Sequence, residues 1–340
     1  MALSMQTTAS SNSLAIWSER WRLAALSQAE MMQIGLFALM AGMVYVLFHI
    51  QGNTTQVQVY SQSAFSWMIT YWNSEANLHG GADYSHGYLI PFVSLGVLWL
   101  KRNELAAAPR TVCQTGLALI VFALMLHWFG AKAQQTRLSL FALILMTWAV
   151  PLYFYGWQVA KLLIFPCAYL IFCIPLNFLD QISFPLRIFA ASASTSILNG
   201  LGIEAERSGS AIYSTAAGGF NFDVADPCSG IRSLLAMTAL TAVYAYLTQK
   251  TFIKKWILFL CAIPLAIIGN MARIATIGLV AQAFGEQLAL TLYHDYSGYV
   301  VFGVAIGCMV AIGSALNVNY REVWQQWKHA NLSPISSSSA

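Results

Sequence analysis

Charge is what this sequence has least of. Asp, Glu, Lys and Arg make up 9% of its 340 residues, against about 25% in soluble domains. Hydrophobic residues make up 58%. The two figures together exclude a water-soluble globule for the bulk of the chain and leave a polytopic membrane protein. There is no Lys/Arg-rich run that could follow a phosphate backbone, and the formal net charge is only +4, so nucleic acid is not an expected partner. The six cysteines (Cys113, Cys167, Cys173, Cys228, Cys261 and Cys308) contain no CxxC pair and no metal-ligand spacing. No metal and no cofactor is expected from them. Four of them lie in apolar runs, where cysteine reads as a small hydrophobe. There is no internal repeat, no separate soluble domain and no apparent cleavable signal peptide.

What the sequence does have is apolar length and aromatic residues. Aromatics reach 13%, with 11 Trp and 15 Tyr, as interfacial belts require. A bilayer-crossing helix needs roughly 20 mostly apolar residues. Runs of this kind predict eight spans, near 31–50, 87–100, 115–130, 138–155, 158–176, 231–248, 253–272 and 296–317. The second is short. Segment 183–202 carries Arg187 and many small residues and reads as an interfacial or re-entrant helix. Segment 274–292 is apolar enough to lie in the membrane or dip into it. The expected fold class is therefore an all-α polytopic membrane protein. Its expected organisation is an N-terminal tail over 1–30, one integral membrane domain over 31–317 and a C-terminal tail over 318–340 with a disordered end.

Basic residues orient the spans. With the N-terminus inside, the cytoplasmic side collects Arg20, Arg22, Lys101, Arg102, Arg110, Lys161, Lys250, Lys254, Lys255, Arg321 and Lys328. The outer side collects fewer: Lys132, Arg137, Arg187, Arg207, Arg232 and Arg273. This orientation puts residues 177–230 in the larger outer loop, with a β-like stretch near Ala211 to Thr215.

Three segments carry chemistry, and all three fall on that outer side. The first is Asp226-Pro227-Cys228-Ser229-Gly230-Ile231-Arg232. Asp226 is a good N-cap and Pro227 suits the first helical position. Cys228 then falls in the first turn, where the helix end favours a thiolate. Arg232 lies on the same face and acts on the thiol in the same sense. Gly230 allows close approach of a substrate backbone. Taken alone, the segment reads rather as a packed cysteine at an ordinary helix start. The second segment is Gly269-Asn270-Met271-Ala272-Arg273-Ile274. An ionisable residue in an apolar segment is a functional-site hypothesis by default, and Asn270 shares its helix face. At roughly 1.5 Å per residue, Arg273 stands about 27 Å from Lys254 and Lys255. The plain alternative is an arginine reaching for headgroups. The third is Tyr293-His294-Asp295-Tyr296-Ser297-Gly298. His294 can serve as a general base near neutral pH, with Asp295 as a weaker partner. Nucleophile, fixed cation and base are the inventory of acyl transfer. His86, in Ser85-His86-Gly87-Tyr88-Leu89-Ile90-Pro91, is a further outer-side histidine that also reads as an interfacial cap.

These four elements, taken in order and spacing, resemble the exosortase/archaeosortase family over roughly residues 65–317. Cys-Ser-Gly-Ile-Arg and Asn-x-x-Arg-Ile are the specific elements. The resemblance implies a membrane-embedded, sortase-like cysteine transpeptidase of a prokaryotic plasma (inner) membrane. Its implied substrates are exported proteins with a C-terminal sorting signal: a motif such as Pro-Glu-Pro, a transmembrane helix and a basic cluster. The implied product joins the new C-terminus to a membrane lipid or another acceptor. Carried over by residue, Cys228 is the nucleophile, Arg273 the essential arginine and His294 the catalytic histidine. Arg232 and Asn270 match motif positions, and Ser229, Gly230, His86 and Asp295 rank as supporting residues.

Two other classes compete with this reading. A transporter would line a path with its polar residues, but here they gather at one face and no two-half repeat is visible. A non-catalytic assembly factor for exported polysaccharide would tolerate loss of Cys228, Arg273 or His294 singly. The orientation has its own test. A membrane-impermeant thiol reagent is expected to label Cys228 from the outer side, and labelling only after the inner face is exposed would overturn it.

Overall fold

The computed structural model describes residues 28–52, 62–73, 84–216, 219–224 and 231–318, with 324, 325 and 327. The chain is a helical bundle capped at one end by a small sheet. In chain order the helices are α1 (Gln28–Gln51), α2 (Ala64–Trp72), α3 (Ile90–Leu100), α4 (Arg102–Ala107), α5 (Gln114–Lys132), α6 (Thr136–Tyr169), α7 (Asn177–Gly200), α8 (Ile231–Thr248), α9 (Phe252–Phe284) and α10 (His294–Asn317). Five helical stretches are long and apolar enough to cross a membrane: Ile34–Gln51, Gln114–Lys132, Thr136–Cys173, Phe252–Phe284 and Tyr296–Asn317. Ser85–Leu100 and Ser233–Thr248 are shorter and apolar. Helix is the form such runs must take, because hydrocarbon offers no partner to an unsatisfied N–H or C=O.

The longest stretch is not straight. Gly156 sits inside α6 with φ 78° and ψ −176°, outside helical values. Trp148 Nε1 donates to the carbonyl of Ala160 at 2.8 Å, across 12 residues. Along a straight helix those groups would stand about 18 Å apart. The chain therefore doubles back at Gly156, and α6 is two antiparallel arms. The reversal falls in the gap between the runs read as spans at 138–155 and 158–176. The turn is closed by the segment before α5: Thr111 N–H donates to Tyr155 O at 3.3 Å and Cys113 N–H to Tyr153 O at 3.0 Å.

One end of the bundle is basic and aromatic. Lys101 pairs with Glu104 at 2.9 Å, and this bond raises its pKa. The ammonium groups of Lys101 and Lys255 lie 5.9 and 4.6 Å from the centroid of the Tyr246 ring. Arg102 covers Trp99 and Arg110 covers Tyr155. These are the residues that the charge bias grouped on one side.

The other end departs from a purely α-helical expectation. Three antiparallel strands, β1 (Ala205–Ser208), β2 (Ala211–Ser214) and β3 (Asn221–Asp223), form a sheet in that order. Only the β2 region was legible as β-like, since strands of three or four residues give too short an alternation to stand out. Ile212 faces Phe222 across the sheet, and both are buried with Phe220, Val224, Leu198, Ile274 and Ile277. Helix α7, expected as an interfacial or re-entrant segment, is regular through Gly200 and packs on α9 through this cluster. The Asn199 side chain bonds both the N–H and the carbonyl of Ala205, at 2.9 and 3.0 Å, and so fixes the turn into the sheet.

Helix α9 explains the segment expected to dip into the membrane. It runs unbroken for 33 residues, or about 50 Å at 1.5 Å per residue. The hydrocarbon layer is about 30 Å thick. Its last turns carry Ile274, Ile277 and Ala281 into the core beneath the sheet. The helix ends at Gly285 (φ 91°), and a helical turn (Glu286–Leu288) with a π-type turn (Ala289–Tyr293) leads into α10.

Replacing Gly156 by Ala should destabilise the protein. An alanine there would take up a positive φ and would meet the carbonyl oxygen of Thr111. Strain of this kind costs about 1–3 kcal/mol before the clash is counted. Gly96, in α3, has open space around it. Thermal unfolding in detergent should show a lowered midpoint for Gly156→Ala and none for Gly96→Ala. An unchanged midpoint for Gly156→Ala would contradict the reversal described here.

Candidate functional site

Three segments meet where the bundle joins the sheet: the start of α8, the middle of α9 and the start of α10. Helix α8 presents two faces. Ile231, Leu235 and Ala239 enter a buried cluster with Trp72, Tyr84, Ile90, Tyr169 and Cys173. Ser233, Ala236 and Met237 face a cavity shared with α9 and α10. The spacing of these two sets is that of opposite sides of a 3.6-residue helix.

The first cluster places the His86 segment. Residues Ser85–Tyr88 form a 3₁₀ turn ahead of α3. The Tyr84 hydroxyl donates to Leu176 O at 3.1 Å and accepts from Leu176 N–H at 2.8 Å. Trp72 Nε1 donates to Cys173 O at 2.9 Å, and its indole lies against Gly87. A side chain at Gly87 has no room. His86 is half-buried, its ring 6.0 Å from that of Tyr84. The structure thus brings the Ser-His-Gly-Tyr segment to the same cluster as Ile231, the residue before Arg232.

The cavity has a volume of about 500 Å³, and its lining includes Ser233, Gly269, Asn270, Arg273, Gly298 and Phe302. Asn270 is buried and Arg273 is half-buried. Arg273 Nε donates to the Ser297 hydroxyl at 3.3 Å. The approach of α9 to α10 is close: a Cβ on Gly269 would stand 3.1 Å from Val301 Cγ1. Helix α7 reaches the same place, with the Ser194 hydroxyl donating to Met271 O at 3.1 Å. A second link lies farther out. Asn221 N–H, on β3, donates to the Glu286 carboxylate at 3.1 Å. That bond joins the strand that leads toward Cys228 to the turn that leads toward His294.

A larger cavity of about 620 Å³ lies between α1, α2, α3 and α6, lined by residues such as Phe37, Met40, Leu140 and Met146. It holds no Asp, Glu, Lys, Arg or His. Size does not make it the reactive site, because nothing there can carry charge or a proton near neutral pH.

Of the residues predicted from sequence, Arg273 and Asn270 come together in the smaller cavity. Cys228, Ser229 and Gly230 lie outside the described residues. Arg232, His294 and Asp295 have described backbone positions in α8 and α10, while their side chains lie outside the description. His294 opens α10, one turn before Ser297, so the two share a helix face. Sequence reasoning did not single out Ser297, Gly298 or Ser233. The spacing of His294 to Ser297 was the available signal, but serine and glycine at a helix start are ordinary residues. Among the described residues no group of three or more His, Cys, Asp or Glu could hold a metal ion. Cys113, at the basic end, has its pKa lowered by a hydrogen bond with Thr115, Sγ to Oγ1 at 2.9 Å.

Residues 71–311 match the family described as transmembrane exosortase (Exosortase_EpsH). Neither a curated protein nor a solved structure matches the chain. The matched span runs from α2 into α10 and takes in Arg273, Asn270 and the start of α8, so the cavity lies inside it. The chain belongs to the transmembrane exosortase family.

Proposed function

We propose that this membrane sortase-like protein is a cysteine transpeptidase that cleaves the C-terminal sorting signal of exported proteins. The observation that carries the reading is the placement of Arg273. Its guanidinium lines a cavity between α8, α9 and α10 and is bonded to a residue one turn from His294. Cys228 precedes Ile231 by three residues. At about 3.6 Å per extended residue, the chain cannot carry its Cα more than about 11 Å from that of Ile231.

In this mechanism His294 takes the proton of Cys228 and the thiolate sulfur attacks the carbonyl carbon of the scissile peptide. The negative charge that develops on the carbonyl oxygen falls to Arg273, whose fixed donors cost little reorganisation in a site of low dielectric. The tetrahedral intermediate collapses, the C–N bond breaks and His294 returns its proton to the leaving amine. The retained part of the substrate is now a thioester on Cys228. An acceptor amine, or water, attacks that thioester, gives its proton to His294, and releases the thiol. Asn270, Arg232, Ser229 and Gly230 orient the substrate, with His86 and Asp295 supporting the same end.

The topology that serves this chemistry has eight crossings: α1, α3, α5, the two arms of α6, α8, α9 and α10. The basic end, with Lys101, Arg102 and Lys255, faces the cytoplasm. The sheet and the cavity face outward, in the inner membrane of a prokaryote. The substrate signal consists of a Pro-Glu-Pro-type motif, a transmembrane helix and a basic cluster. The acceptor is a membrane lipid or another nucleophile.

Two variants test the reading in cells that export a tagged substrate ending in such a signal. Cys228→Ala should stop processing, with full-length substrate accumulating. Mass spectrometry of the mature C-terminus made by the unaltered enzyme should show a new bond or a free carboxylate at one site. Unchanged processing by Cys228→Ala would end this reading. Arg273→Lys keeps the charge but loses the planar fork. It should lower the processing rate by on the order of 100-fold, the scale of losing one oxyanion donor. Full activity would make Arg273 a headgroup anchor.

A further inference from the structure

The Ser297-Gly298 pair plays no part in the thiol chemistry above. Ser297 is 3% exposed, and its hydroxyl accepts from Arg273 Nε at 3.3 Å. A Cβ built on Gly298 would lie 3.5 Å from Arg273 Cζ, 3.6 Å from Nη2 and 3.7 Å from Nε. Near-equal distances from one point to three atoms of a planar group place that point over its face. The face of the guanidinium is therefore turned toward Gly298 of α10, at a distance that leaves room for a methyl group, while the preceding residue holds its Nε. One turn farther along, the close approach of Gly269 to Val301 sets the spacing of the two helices. The pairs Arg273/Ser297 and Gly269/Val301 are successive rungs between antiparallel helices.

We infer that Ser297 is a positioning residue for Arg273. It holds the guanidinium with its face toward Gly298 and so ties it to the turn of α10 that begins at His294. Ser297 does not line the cavity, whereas Arg273 and Gly298 do. Its bond to Arg273 is the route by which it bears on the reaction. The physical reason is that an arginine side chain is long and rich in rotamers, and its donors stabilise an oxyanion only where the charge develops. A buried hydroxyl that accepts from Nε removes rotation about the end of the side chain without using the terminal Nη donors. The assignment rests on the reading of the site given above and adds to it a residue outside the recognised motifs.

The test uses the full chain reconstituted in lipid vesicles. The probe is a reporter protein ending in a Pro-Glu-Pro motif, a transmembrane helix and a basic cluster. Ser297→Ala should lower kcat about 10-fold or more, the scale of losing a hydrogen bond to a charged group. KM should stay within about two-fold, as for a group needed in the transition state alone. Ser297→Thr keeps the hydroxyl and should recover most of the rate. In an Arg273→Lys background, Ser297→Ala should have little further effect, because two residues acting as a unit are not additive. Equal losses in both backgrounds, or full activity of Ser297→Ala, would overturn the inference. So would a Ser297→Ala loss that merely tracks a lowered unfolding midpoint. Cys228→Ala separates the two levels. If it still processes the reporter, or if the unaltered chain does not, the site reading fails and the role of Ser297 fails with it. If Cys228→Ala is inactive and Ser297→Ala is not, only the inference fails.

Discussion

Helix α9 has to satisfy two solvents with one hydrogen-bonded cylinder. Inside hydrocarbon its backbone has no other partner, so it cannot be interrupted there. It is also longer than that layer is thick, so its final turns must bury their apolar face against protein. The sheet and α7 supply that surface through Leu198, Ile212 and Phe222. In the topology proposed above, Arg273 falls at the changeover between the two environments. Deeper in the bilayer its charge would be costly. Farther out it would be fully hydrated, and its attraction for a developing oxyanion would be weak. The starts of α8 and α10 meet α9 at the level of that residue, around the cavity.

The rest of the site follows from close packing at that level. Gly269 admits α10, Gly298 leaves open the space that the guanidinium faces, and α8 turns Ser233 toward the cavity while Ile231 anchors its opposite face. The Ser-His-Gly-Tyr segment then serves the site from the far side of α8, through Tyr84 and Trp72. Its packing explains why Gly87 and an aromatic residue sit together there. The indole of Trp72 needs the space and the carbonyl of Cys173 needs the donor.

Much of this was legible because apolar length is a strong and one-dimensional signal. The long runs, the basic end with Lys101 and Lys255, and the pairing of Asn270 with Arg273 on one face all depend on local sequence. Even the break at Gly156 left a trace, as two runs with polar or small residues between them. The sheet was mostly hidden because strands this short carry almost no periodicity. The extension of α9 past residue 272 left no boundary for a related reason: Ile274, Ile277 and Ala281 face protein, and sequence alone cannot distinguish protein from lipid as the apolar neighbour. Ser297 escaped notice because its role depends on a side chain from another helix.

The reversal at Gly156 bears on how the chain enters a membrane at all. A single residue separates the two arms of α6, and the carbonyls of Tyr153 and Tyr155 just before it are already bonded to Cys113 and Thr111. No polar loop exists there to be held in water while one arm crosses and the other waits. The arms must partition together, as a preformed helical hairpin. In the topology proposed above, the segment that follows, with α7 and the sheet, is then carried to the outer side in one step. Biogenesis of the site end is thus coupled to a turn at the opposite end of the bundle.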